Sequence, residues 1–125
     1  MPENQPRTKG QIEAAVTAAI TQFERDFLGR GPREARTTIL QDMVLVRLKG
    51  ILSPAEQQLS AEPGGVDLIK QHRTRLVESS GRALAALVEA NVGSAVVSMH
   101  TDISSRTGER VFIFVLERDF VEQGL

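Results

Sequence analysis

Apolar residues in this chain follow two different spacings in turn, and no single kind of backbone can bury both. Ile12, Val16, Ala19, Ile20, Phe23 and Phe27 recur every three or four positions, laying one stripe along a helix of about six turns. Thr8 and Gln11 supply the hydroxyl and amide of a capping box at its start, and Gly29 with Gly31-Pro32 stops it. From Thr37 the pattern becomes strand-like. Thr37-Thr38-Ile39-Leu40 and Met43-Val44-Leu45-Val46-Arg47-Leu48 read as two strands joined by Gln41-Asp42, a hairpin despite a turn pair far less favourable than Asn-Gly.

The same two regimes then repeat. Gly50 ends the second strand, and Ser53-Pro54-Ala55-Glu56 combines a cap, a proline at the first helical position and a closing glutamate, so a short helix spans about residues 54–61. Pro63-Gly64-Gly65 interrupts it. Between Val66 and Val92 the residues Leu68, Ile69, Leu76, Val77, Leu84, Leu87 and Val88 hold one face of a long helix, with Lys70, Arg73, Arg75, Glu78, Arg82 and Glu89 on the rest. Gly93 closes that helix. Ala95 to Ile103 and Val111 to Leu116 form a second hairpin across a wide polar loop that includes Arg106 and Arg110. The order α-β-β-α-α-β-β predicts an α+β domain, a four-stranded, mostly antiparallel sheet with helices on one face. The halves resemble each other only as a loose αββ pattern, and either strand of each hairpin is free to pair with the other hairpin.

A chain of 125 residues, 41% hydrophobic and 25% charged, has the size and composition of one folded domain. Its expected bounds are 8–117, between a polar, mobile tail at 1–7 and a second tail at 118–125 that carries Phe120 and Val121.

Both faces of the inner strands are apolar. Met43 and Leu45 point opposite to Val44, Val46 and Leu48, while Phe112 and Phe114 point opposite to Val111, Ile113 and Val115. Helices cover one face, and soluble monomers rarely leave a large apolar patch on the other. A homodimer through the second sheet face is the expectation. The alternative is cover from the short helix or a folded-back tail.

Composition removes several function classes. The absence of cysteine excludes disulfides, thiol nucleophiles and thiolate metal sites, and two histidines are too few for a multi-histidine centre. No cofactor is expected. A formal net charge of −1, evenly spread, withholds the phosphate attraction that nucleic-acid binding needs. No apolar run approaches the length of a membrane span, and the first residues lack a signal peptide's apolar stretch, so a soluble, cytoplasmic protein without membrane insertion is expected.

Chemistry is left to a few polar residues. Gly29-Arg30-Gly31-Pro32 brings backbone N–H groups and a guanidinium together as an anion site would, and equally serves as a plain helix stop. His100 and Asp102 share a strand face at a spacing of two. They suit a general base with its orienting carboxylate, or a structural hydrogen bond. Arg30, Arg47, His100 and Arg106 would form an anion-attracting rim if the hairpins are neighbours; the other reading is charges that keep sheet edges apart. His72 is expected to be solvated.

Thr8-Lys9-Gly10-Gln11-Ile12-Glu13, Phe23-Glu24 leading to Gly29-Arg30-Gly31-Pro32, Asp42 to Gly50, Leu52-Ser53-Pro54-Ala55-Glu56, His100-Thr101-Asp102-Ile103-Ser104 and Thr107-Gly108-Glu109-Arg110 together resemble a small bacterial family named for the MpsC component of a sodium-translocating, membrane-potential-generating system. The resemblance spans Thr8 to Leu116. It implies a small soluble accessory to a membrane subunit and a large soluble partner, in a system associated with uptake of CO₂ or bicarbonate. It assigns no catalytic residues; the motif positions Gly29, Arg30, Gly31, Pro32, Arg47, His100, Thr101 and Asp102 are where a site is sought. The expected function is therefore a non-enzymatic accessory or regulatory domain that contacts a protein partner and binds a small anion. The rival is a small enzyme with His100 as acid or base, Asp102 orienting it, and Arg30 or Arg47 holding an anionic substrate.

Overall fold

The computed structural model describes residues 7–104 and 106–121. Its elements are α1 (Lys9–Leu28), β1 (Glu34–Leu40), β2 (Met43–Lys49), α2 (Pro54–Ser60), α3 (Gly65–Val92), β3 (Val96–Ser104) and β4 (Glu109–Leu116), in the expected order. Both capping boxes form: Thr8 Oγ1 accepts from the Gln11 N–H and Ser53 Oγ from the Glu56 N–H, with each side chain three residues on reaching back. Gly29 and Gly93 end α1 and α3 in the left-handed conformation, at φ 83° and 74°.

The four strands form one sheet in the order β1-β2-β4-β3, and each neighbouring pair is antiparallel. The hairpins thus join through their second strands. Val44 lies opposite Phe114 and Val46 opposite Phe112 across that seam. α1 packs by β1, α3 by β3, and the two helices touch each other. Ile12, Val16 and Ile20 of α1 and Leu84 and Val88 of α3 meet Val44, Val46, Leu48, Phe112, Phe114 and Leu116 in one core. A half-turn about the centre of the seam exchanges α1-β1-β2 with α3-β3-β4, so the loose αββ pattern is real as topology.

Several expected boundaries move. β1 begins at Glu34 because the Arg33 N–H donates to the Lys49 carbonyl, extending the ladder. β4 begins at Glu109, and this draws Arg110 out of the expected loop into the strand, where the residue is 3% exposed. The wide loop contracts to the stretch between Ser104 and Glu109, and Gly108 at φ 71° donates its N–H to the Ser104 carbonyl. Phe120, expected in a tail, packs half-buried against the core, and its N–H donates to the Gln41 carbonyl at 2.9 Å. At the other end Arg7 Nη2 donates to the Asn91 carbonyl at 3.0 Å. Residues 1–6 and 122–125 of the expected tails lie outside the described residues.

Two positions are held under constraint. A Cβ on Gly65 would overlap the Leu59 carbonyl oxygen, so glycine lets α3 start directly beneath α2. Gln41 has φ 57°, the sign that primed hairpin turns need and that a residue with a Cβ adopts at a cost of about 1–2 kcal/mol. Gln41→Gly is expected to raise stability by up to about 1 kcal/mol after glycine's own entropic cost. Gln41→Val should lower it. Urea denaturation distinguishes the signs, and a Gln41→Gly protein less stable than wild type would show that the turn carries no such strain.

Candidate functional site

The register places four rows of side chains on the sheet face away from the helices. Thr38, Leu45, Ile113 and His100 form one row, with Leu40, Met43, Val115 and Ser98 on one side of it and Arg36, Arg47, Val111 and Asp102 on the other. Glu34, Lys49, Glu109 and Ser104 complete the set at the far end. No element among the described residues packs closely over this face: the main contacts of the helices run from α1 to β1 and α3, and from α3 to α2 and β3. Its centre is apolar, and Leu40 is 57% exposed. Arg47 clamps Glu109, Nη2 to Oε2 at 2.6 Å and Nε at 3.1 Å.

The residues singled out in the sequence occupy three separate places. Arg47, His100 and Asp102 share the open face as the alternation predicts, yet Val111 of β4 stands between Arg47 and Asp102, which sets their backbones about 10 Å apart at two strand spacings. Asp102 accepts from the Ile103 N–H at 2.8 Å and lies 3.7 Å from Lys70 Nζ. Thr101 faces the core instead, where it accepts from Arg110 Nη1 at 2.8 Å. Gly29 serves as the helix stop, and Arg30 reaches the Leu52 and Gly50 carbonyls at a long 3.4 Å each. Arg30 also lines a cleft of about 560 Å³ between α2 and α3, with Leu59, Leu68, His72 and Arg73. Gly31 packs on the Arg25 side chain, and Arg106 is exposed in the turn after β3.

A second cluster, not anticipated, lies beneath the sheet. Glu24 of α1, Arg73 and Ser80 of α3, and Arg110 of β4 are each at most 6% exposed and line a cavity of about 10 Å³. Charged groups that leave water need partners. Arg73 has them: its Nη2 donates to Glu56 Oε1 at 2.6 Å and to the Ile51 carbonyl at 3.1 Å, and its Nε to Glu56 Oε2 at 3.0 Å. Arg110 sits 5.5 Å over the Phe112 ring and bonds Thr101. Burial pushes the Glu24 carboxyl above the usual carboxylate range, with Arg110 and then Arg73 pulling the other way. Burial likewise lowers the Arg110 guanidinium, opposed by Glu24. For Glu56 burial acts upward too, but the hydrogen bonds from Arg73 and Ser53 outweigh it and hold the group below its usual range.

The sequence carried a signal for this cluster. Glu24 continues the steps of four through Ile12, Val16 and Ile20; Arg73 and Ser80 fall on the line that runs from Ile69 to Leu84 and Val88; Arg110 alternates with Phe112 and Phe114. Arg73, expected on the wet side of the long helix, is a core residue because its guanidinium brings Glu56 of α2 with it.

The family model for "Na+-translocating membrane potential-generating system (MpsC)" matches residues 8–118. The chain belongs to the MpsC family. The match takes in every helix and strand, and with them both the open face and the buried cluster. Two relatives from Bacillus subtilis (strain 168) are similar: YbcI, 48% identical over 113 residues covering 90% of this chain and 91% of that one, and YrhF, 27% identical over 105 residues covering 83% and 86%. Both are described as uncharacterized proteins. No solved structure matches. Among the described residues of this MpsC-family chain no three His, Asp or Glu side chains gather as a metal site needs, and no helix is long and apolar enough to cross a membrane.

The two shifted carboxyls give opposite pH dependences. Glu56, held low in the fold, contributes stability that is present above its unfolded pKa and lost as pH falls through its folded value; Glu24, held high, costs stability when ionised, and that cost is relieved on acidification. Urea unfolding followed from about pH 7 to about pH 3 should show a steeper acid loss for Glu24→Gln than for wild type, and a flatter one for Glu56→Gln. Glu56→Gln should also cost about 1–3 kcal/mol at neutral pH, since Arg73 stays buried with a poorer acceptor. A Glu24→Gln profile parallel to wild type would contradict the assignment.

Proposed function

We propose that this MpsC-family chain is a non-enzymatic accessory domain that acts by contact, as a homodimer formed through the open sheet face. The observation that carries the reading is the apolar patch of Met43, Leu45, Val111, Ile113 and Val115 on a face that no described element packs closely over. A monomer holding this surface in water forgoes about 25 cal/mol for each Å² of apolar area left wet. Reading the domain as a contact device is further supported by the separation of Arg30, Arg47 and the His100–Asp102 strand, because acid–base work on a bound anion requires those groups around one centre.

The reading is supported by the family description, which names a sodium-translocating, membrane-potential-generating system. Within it the dimer serves a cytoplasmic protein partner of the membrane machinery, in a system for inorganic carbon uptake. A small anion has its place at the α2–α3 cleft, where the Glu56 carboxylate is taken up by Arg73, and Arg30 makes only long bonds to carbonyls.

Sedimentation velocity tests the assembly. Wild type is expected to run as a dimer, and Leu45→Lys or Ile113→Lys as folded monomers, since both side chains lie outside the core. A wild-type monomer at tens of micromolar would overturn the reading. Bicarbonate and phosphate at millimolar levels should raise the melting temperature of wild type but not of Arg30→Gln; equal shifts in both remove the cleft from the proposal.

A further inference from the structure

We propose that the two copies stack face to face about a two-fold axis that runs along the strands between β2 and β4, so that Arg36 of each copy meets Asp102 of the other. This rests on the homodimer reading above and goes on to fix its geometry. A closed stack of two identical faces has two simple choices, with the axis along the strands or across them, and the side-chain rows separate the two.

With the axis along the strands, each row lies over the same row of the partner in reversed column order. Met43 then covers Val115 and Leu45 covers Ile113, apolar on apolar. In the next row Arg36 lies over Asp102, because Arg36, Arg47, Val111 and Asp102 are consecutive across the sheet. In the last row Lys49 lies over Glu109. Two-fold symmetry makes each of these contacts twice, four oppositely charged pairs around an apolar centre. An axis across the strands instead sets each charged row on a mostly apolar one: Lys49 would press on Met43 and Arg36 on Thr38, with no carboxylate of the partner opposite either cation.

The charges are available for this. The Asp102 side chain is 77% exposed and its pair with Lys70 is long, 3.7 Å; Lys49 stands 3.9 Å from Glu34. Packed sheets cross at about 30° and lie about 10 Å apart, a rotation that shifts the outer columns by about one residue, within the reach of an arginine. Arg36 and Asp102, in the outermost columns, act as the register marks of the stack, and like charges placed opposite each other are costly.

The test exchanges those marks. Arg36→Asp and Asp102→Arg, made separately, should each weaken the dimer about tenfold or more in sedimentation velocity. Circular dichroism should remain that of wild type, because both positions are exposed. Mixed in equal amounts, the two variants should associate with each other in preference to themselves. At one end of such a heterodimer the introduced aspartate faces the introduced arginine, and at the other the native Arg36 faces the native Asp102; native mass spectrometry reads the heterodimer. Lys70→Gln controls for loss of the intrachain pair and should leave the dimer intact. Single variants that dimerise as wild type does, or a mixture without heterodimer preference, overturn this axis while leaving the homodimer standing. A monomeric wild type overturns the homodimer itself.

Discussion

The antiparallel seam between β2 and β4 is the contact on which the rest of the molecule depends. Each hairpin alone is a marginal structure in water, and that ladder joins one to the other along their strands. The seam aligns Val44 and Val46 with Phe114 and Phe112, giving α1 and α3 a surface wide enough to bury one stripe each. The same alternation sends Met43, Leu45, Val111, Ile113 and Val115 to the opposite side. A core and an exposed apolar face are thus two results of one register, and a shift by one residue would exchange them.

The buried charges follow from how the helices meet the end of the sheet. Arg110 occupies the first core-facing position of β4 after the turn, beside Thr101, with Phe112 under its guanidinium. Glu24 faces it from α1 and Arg73 from α3, and Arg73 ties down Glu56 of α2. Buried carboxyls and guanidiniums therefore link three helices and a strand at the point where apolar packing thins out. Such a group adds little net stability compared with well-packed apolar residues, but removing one member leaves the others desolvated. Its value is positional: α2 makes contact with α3 and is fixed there by the Glu56–Arg73 pair.

Much of the fold was legible because its punctuation is chemical. Capping residues, the proline at the start of α2 and the left-handed glycines that close α1 and α3 mark element ends by local geometry alone, and they lie where the sequence pattern predicts. Strand order was not legible, since nothing within a hairpin states which of its edges is to be paired. Arg110 and Arg73 are hard to place for one reason: charge ordinarily signals solvent, yet both sit on apolar steps that the surrounding residues define. His100 and Asp102 fall on one face as the alternation requires. Whether Arg30 or Arg47 joins them depends on strand order and on the path of residues 29–33, which sequence spacing does not encode.

The half-turn that relates α1-β1-β2 to α3-β3-β4 has a consequence for the chain as a polymer. The seam is built from one strand of each half, so it does not distinguish a hairpin of the same molecule from the equivalent hairpin of another. The only covalent link between the halves is the stretch from Gly50 to Gly64 that holds α2. Should that hinge open, two molecules can trade halves, an intertwined exchange in which the contacts between the halves are kept and only their ownership changes.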